Sequence, residues 1–117
     1  MIDLKELADV LNKHGVKCEY INRRGDEWVA FQRYQASFSI DMKRDDILNA
    51  PATTIIREAL VRDGWQVQVM HDSYKGKMAI HNNSVSLFSQ KSGLCPVSGY
   101  GESYTEALLS VVMEVWR

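Results

Sequence analysis

The sequence has almost no net charge, no long apolar run and almost no cysteine. Its 117 residues carry 14 basic and 15 acidic side chains. The balance is also local: residues 1–50 hold eight Lys/Arg against nine Asp/Glu, and residues 51–117 hold six of each. Sequence-general nucleic-acid binding needs a cation for each phosphate neutralised, so this balance counts against that class. No run approaches the ~18–20 apolar residues that span a bilayer. The Met1–Glu6 stretch lacks the basic, apolar and small-residue order of a signal peptide, so a cytoplasmic location is expected. Cys18 and Cys95 are the only cysteines. Two make no disulfide framework, and both are expected to be reduced. A nucleophile elbow, a P-loop and a dinucleotide fingerprint are all missing. The expectation is a non-enzyme with no cofactor, no catalytic residue and no metal ligand.

What is present suits one globular domain. The apolar share of 45% is too high for a disordered chain and enough for a single core. Asp3 with Glu6 three residues on opens a helix. Leu4, Leu7, Ala8 and Leu11 give it one apolar face, and Gly15 ends it. Val16, Cys18 and Tyr20 then alternate as a strand. Asn22–Asp26 has turn composition, which also absorbs the cell-adhesion spelling Arg24-Gly25-Asp26. Trp28–Gln32 and Ala36–Ile40 read as two further strands, and Asp41–Asn49 as charged connecting structure.

The second half repeats the grammar. Pro51 suits the first turn of a helix buried through Ala52, Ile55, Ile56, Ala59 and Leu60. Gly64 ends it, and Trp65, Val67 and Val69 alternate with Gln66 and Gln68. Lys77–His81 reads as a short strand, Ser84–Ser89 as another, and residues 90–102 as a Gly/Ser/Pro loop. Ser103 and Glu106 form a second capping box. The helix they open is apolar except along Glu106, Ser110, Glu114 and Arg117, so it must be covered on several sides. The order is αβββαβββα, an α+β domain with antiparallel strands and three helices. A gap-free shift of 49 residues puts Gly15 on Gly64, Cys18 on Val67, Tyr20 on Val69, Val29 on Met78 and Phe38 on Leu87. Two αβββ pseudo-repeats, 3–49 and 52–102, with a closing helix 103–116, are the expected arrangement.

Few residues suggest chemistry. His71 and His81, with Asp72 and Cys95, sketch a metal site, but their spacing matches no standard zinc pattern. His14 falls at a helix C-terminus, where the dipole favours a cation. Cys95-Pro96 reads as a small apolar residue under a loop. Gly99–Ser103 precedes a helix N-terminus, but Glu102 and Glu106 already place negative charge there. Arg23, Arg24, Arg33, Lys43 and Arg44 lie near Trp28, Phe31 and Tyr34 in the chain, a mixture that suits protein hot spots or RNA bases.

Two resemblances attach to these pieces. Ala52–Arg62, then Asp63-Gly64-Trp65 with its strand, and Ser103–Leu109 resemble the phage αβα-sandwich domain over about residues 51–116. That resemblance implies a phage or prophage accessory protein and carries no active-site residues. Gly99–Ser103 followed by Ala107 resembles the entry to the second helix of double-stranded RNA-binding domains, which share the αβββα order. Their lysine cluster is replaced here by Tyr104, Thr105 and Glu106. The functional expectation is therefore a small intracellular binding protein, acting by protein–protein contact or homo-oligomerisation, with inhibition of a host or defence factor as one version. The residues expected to carry contact are Trp28, Arg33, Tyr34 and Trp116, by aromatic and arginine character. An RNA-binding module and a small metal-dependent hydrolase are the alternatives.

Overall fold

The computed structural model describes residues 2–33, 36–71, 83–89 and 96–117. Its elements are α1 (Leu4–Lys13), β1 (Cys18–Arg23), β2 (Asp26–Arg33), β3 (Ala36–Ile40), α2 (Asp46–Arg62), β4 (Trp65–His71), β5 (Asn83–Ser89), β6 (Val97–Gly101) and α3 (Tyr104–Trp116). This is the αβββαβββα order, and the class is α+β. The strands form two three-stranded antiparallel sheets, β1-β2-β3 and β4-β5-β6.

Local chemistry sets the boundaries. Asp3 Oδ1 accepts the Lys5 and Glu6 amides, which starts α1. Gly15 at φ +81° and Gly64 at φ +95° turn the chain from helix to strand in a conformation that side chains with a Cβ resist. Arg24 and Gly25 both have positive φ and form a two-residue hairpin loop closed by the Arg23–Asp26 pair. The Arg24-Gly25-Asp26 spelling is thus turn geometry.

Alternation then places the core. Val29, Phe31 and Ile40 point inward from the first sheet, and Val85 and Leu87 from the second. They meet Leu7 and Leu11 of α1, Ile56 and Leu60 of α2, and most of α3. Helix α3 has Ala107, Leu108, Leu109, Val111 and Val112 fully buried, as its near-continuous apolar surface requires. It lies on β5 and β6 and also touches α1 and α2.

Four sequence expectations need correction. Helix α2 begins at Asp46, ahead of Pro51, so Pro51 lies inside it. The proline cannot donate to the Ile47 carbonyl, but both residues are exposed and water can take that role. Asn49, expected in a charged connection, is fully buried. Its amide group pairs with both the N–H and the C=O of Asp41, at 3.1 and 3.0 Å, as a neighbouring strand would. Arg44 adds to this knot by donating to the Ser39 carbonyl at 2.7 Å and to Asn49 Oδ1 at 3.2 Å.

Residues 97–101, expected as loop, form β6. Gly99 and Gly101 look like loop signals, yet both are buried strand positions. A Cβ on Gly99 would lie 2.5 Å from the Ala107 carbonyl oxygen and 2.6 Å from the Val111 nitrogen. Helix α3 packs so closely on β6 that only glycine fits.

The gap-free repeat also fails beyond its first strand. It aligns β3 with β5, through Phe38 and Leu87. Pairing instead makes β5 the middle strand: Val67 opposes Leu87 just as Cys18 opposes Phe31, and Val69 opposes Val85 as Tyr20 opposes Val29. The two halves share an αβββ order, and residues 72–82, between β4 and β5, lie outside the described residues. The predicted strand Lys77–His81 falls outside the described residues.

Candidate functional site: exposed faces

The aromatic residue at the C-terminus of α3 faces inward. Trp116, expected as a contact residue, is 5% exposed and belongs to the interior. Its indole N–H donates to Asp63 Oδ2 at 2.9 Å. Its ring stacks on His14 with centroids 4.6 Å apart and planes within 8°. His14 Nε2 also lies 3.1 Å from the Trp116 carbonyl oxygen. His14 and Asp63 are the C-caps of α1 and α2, the two positions that the 49-residue shift superimposes. One tryptophan therefore ties both helix-to-strand turns to the closing helix.

The N-terminus of α3 is closed as well. Ser103 Oγ accepts the Glu106 amide at 3.1 Å. Asp46, at the start of α2, accepts the Tyr104 and Thr105 amides at 2.9 and 3.0 Å and the Thr105 hydroxyl at 2.6 Å. An internal carboxylate thus occupies the place an anionic ligand would take. Burial raises the Tyr104 phenol, and a hydrogen bond and the positive charge of Arg57 oppose that rise.

The remaining candidates divide by position. Trp28 is half-buried on the face of β2 opposite the core, across from Ile21 of β1. Arg33 closes β2, paired with Ala36, and Tyr34 lies outside the described residues. Of the basic group, Lys43 pairs with Asp26 at 3.2 Å and Arg44 is spent on Ser39 and Asn49. Tyr20 donates to Glu27, and that bond holds its phenol above the ordinary range. Among the described residues no three His, Cys, Asp or Glu side chains gather as a metal cluster. The sketched site of His81, Asp72 and Cys95 falls outside those residues, and His71 is placed by its backbone, opposite Asn83. Among the described residues no helix is long and apolar enough to cross a membrane.

Cys18 is shielded. Its thiol donates to the Ala8 carbonyl at 3.6 Å, and the Asn12 amide nitrogen stands 3.7 Å from Sγ. Burial, with a smaller contribution from Asp9, pushes the thiol up to about 11. At pH 8 the thiolate fraction is then about one in a thousand. Iodoacetamide labelling of the Cys18 peptide should run on the order of 100-fold slower than that of an unshifted thiol, and mass spectrometry of a time course measures it.

Sequence reasoning missed one surface. The outward side of α2 over its first two turns consists of Ile47, Leu48, Ala50, Pro51 and Thr54, with no charge. Ile47 is 85% exposed and Leu48 59% exposed. Val61 continues the same side at 56%, beside a shallow groove of about 500 Å³ lined by Thr54, Arg57, Glu58, Val61 and Arg62. The run Ile47-Leu48-Asn49-Ala50 was the available signal, hidden by the charges on either side of it. The chain matches no family model, no curated protein and no solved structure.

Proposed function

We propose that this chain is a non-enzymatic binding protein that works by protein–protein contact through the outward face of α2. The observation that carries the reading is Ile47 at 85% exposure beside Leu48 at 59%, on a helix whose opposite face already fills the core. Contiguous exposed apolar residues on a folded domain mark contact sites, because isolated ones are common and clustered ones are costly to leave wet. Ala50 and Pro51 keep the surface low and stiff, so little side-chain entropy is lost on docking. The half-buried Trp28, on the outer face of the first sheet, is a second candidate; Arg33 and Tyr34, five and six residues on, remain contact residues by type alone. A phage or prophage accessory role, including inhibition of a host or defence factor, is one setting in which such a domain would serve.

Ile47→Glu tests the reading. The side chain is on the surface, so thermal stability should stay within about 0.5 kcal/mol of the parent. Capture of a protein from host lysate by the immobilised chain should fall at least tenfold and should not respond to nuclease. Nuclease-sensitive recovery of RNA with steep salt dependence would overturn the reading.

A further inference from the structure

We infer that two copies of this chain join through β4, the two β4 strands pairing antiparallel about Gln68 so that their sheets become one sheet of six strands. This surface is distinct from the α2 face, and either can fail alone. Each three-stranded sheet leaves two edge strands, β1 and β3 in the first, β4 and β6 in the second. An edge presents unpaired backbone N–H and C=O groups, a template for another strand unless something blocks it. Three of these edges carry a block. The Asn12 side chain accepts the Cys18 amide at 3.2 Å and donates to its carbonyl at 3.0 Å, and β1 also bears Glu19 and Arg23. Arg44 donates to the Ser39 carbonyl of β3 at 2.7 Å, and Asn49 takes both backbone groups of Asp41 just beyond. Strand β6 has five residues, and two are glycines pressed against α3.

Strand β4 carries none of these devices. It is the longest of the four at seven residues, and it includes no Asp, Glu, Lys, Arg, Pro or Gly. Among the described residues no side chain bonds its backbone. Its inward side chains Trp65, Val67 and Val69 are only half-buried, whereas Val85 and Leu87 beside them on β5 are fully buried. Hydrogen bonding and apolar cover are thus both incomplete along one line, and an added strand completes both. The side chains fit a second β4. Antiparallel pairing centred on a residue keeps inward positions opposite inward ones, and Gln68 is the midpoint of the seven. Val67 then meets Val69 of the second copy, and the apolar row continues across the axis. On the outer face Gln66 meets Met70 and Gln68 meets itself. A two-fold contact sets each group at its centre against its own copy. An amide both donates and accepts, so Gln68 suits that place, where a charged residue would repel itself. One strand pair is at the low end for a specific interface, so the dimer is weak and depends on concentration.

Sedimentation velocity of the purified chain, from low to high micromolar, should show reversible dimerisation. Gln68→Lys and Gln68→Glu should each weaken it at least tenfold, because each sets like charges face to face on the axis. Mixed in equal amounts, the two variants should dimerise again, to within severalfold of the parent. Circular-dichroism melts verify that both stay folded, as changes at an exposed position should. A monomer at every concentration would overturn the inference, whatever other protein the chain captures. So would a dimer indifferent to both charges. Failure of the mixture to recover would overturn the two-fold centre at Gln68. Ile47→Glu should leave this dimer intact; a dimer lost with Ile47→Glu and kept with Gln68→Lys would overturn its assignment to β4.

Discussion

Gly99→Ala should destabilise the fold by about 3 kcal/mol or more, one of the largest effects available from a single added methyl group. The new Cβ would meet the Ala107 carbonyl oxygen at 2.5 Å, the Val111 nitrogen at 2.6 Å and the Val111 Cβ at 2.9 Å. Two of those atoms are helix backbone, so no rotamer change relieves the clash. Helix α3 must lift from β6, and its buried side chains lose packing along the whole contact. Gly64→Ala is the informative control. It has open space around its Cβ position but a φ of +95°, so it should cost only about 1 kcal/mol through backbone strain. Urea midpoints at unchanged m-values separate the steric effect from the conformational one. Equal losses at the two glycines would contradict the close packing of α3 on β6.

Trp116→Ala should cost about 3–5 kcal/mol, the range for emptying a large buried aromatic site. The loss has identifiable parts: the indole stacked on His14, the hydrogen bond to Asp63, and packing within the core. Trp116→Phe keeps a ring against His14 and removes only the donor, so it should cost about 1–2 kcal/mol, including a carboxylate left without its partner. Asp63→Ala combined with Trp116→Phe should be less than additive, because each change removes the same bond. The Arg117–Glu6 ion pair nearby, at 2.7 Å, joins two well-exposed side chains and should contribute little by comparison. Against a typical total of ~5–15 kcal/mol, Trp116→Ala alone approaches global unfolding. Hydrogen exchange would show whether α1 and α2 loosen together, as their shared dependence on this residue requires.

Much of the fold was legible because it rests on local rules. Periodicity located all three helices, and Gly15 and Gly64 marked their exits to strand. Long-range packing was less legible. Gly99 and Gly101 read as loop because a sequence does not say that a helix lies against the strand. Pro51 read as a helix start because local propensity favours that position; the extra turn before it is held by Asn49 on Asp41 and by Asp46 on α3. The αβββ order recurs in the two halves, but the 49-residue offset puts β3 on β5 while the register makes β5 the counterpart of β2, since strand pairing depends on partners that an offset does not see. Trp116 read as a contact residue on composition alone. An aromatic residue at a helix end fits an interface or a core equally well, and here His14 and Asp63 turn it inward. Ile47 and Leu48 were passed over because charged neighbours dominated their window.

These shifts change which surface is free to act. The closing helix is enclosed by its own fold, so its apolar excess needs no partner. The outward side of α2 retains apolar exposure that the core does not use. A photo-crosslinking amino acid placed at position 47 tests that assignment most directly, with the same group at Glu114, an exposed position of α3, as comparison. The account predicts that irradiation at position 47 joins the chain to protein, either a second copy or a partner, while position 114 gives little or no adduct. Adducts from position 114 with none from position 47, or adducts at 47 that nuclease removes, would contradict it.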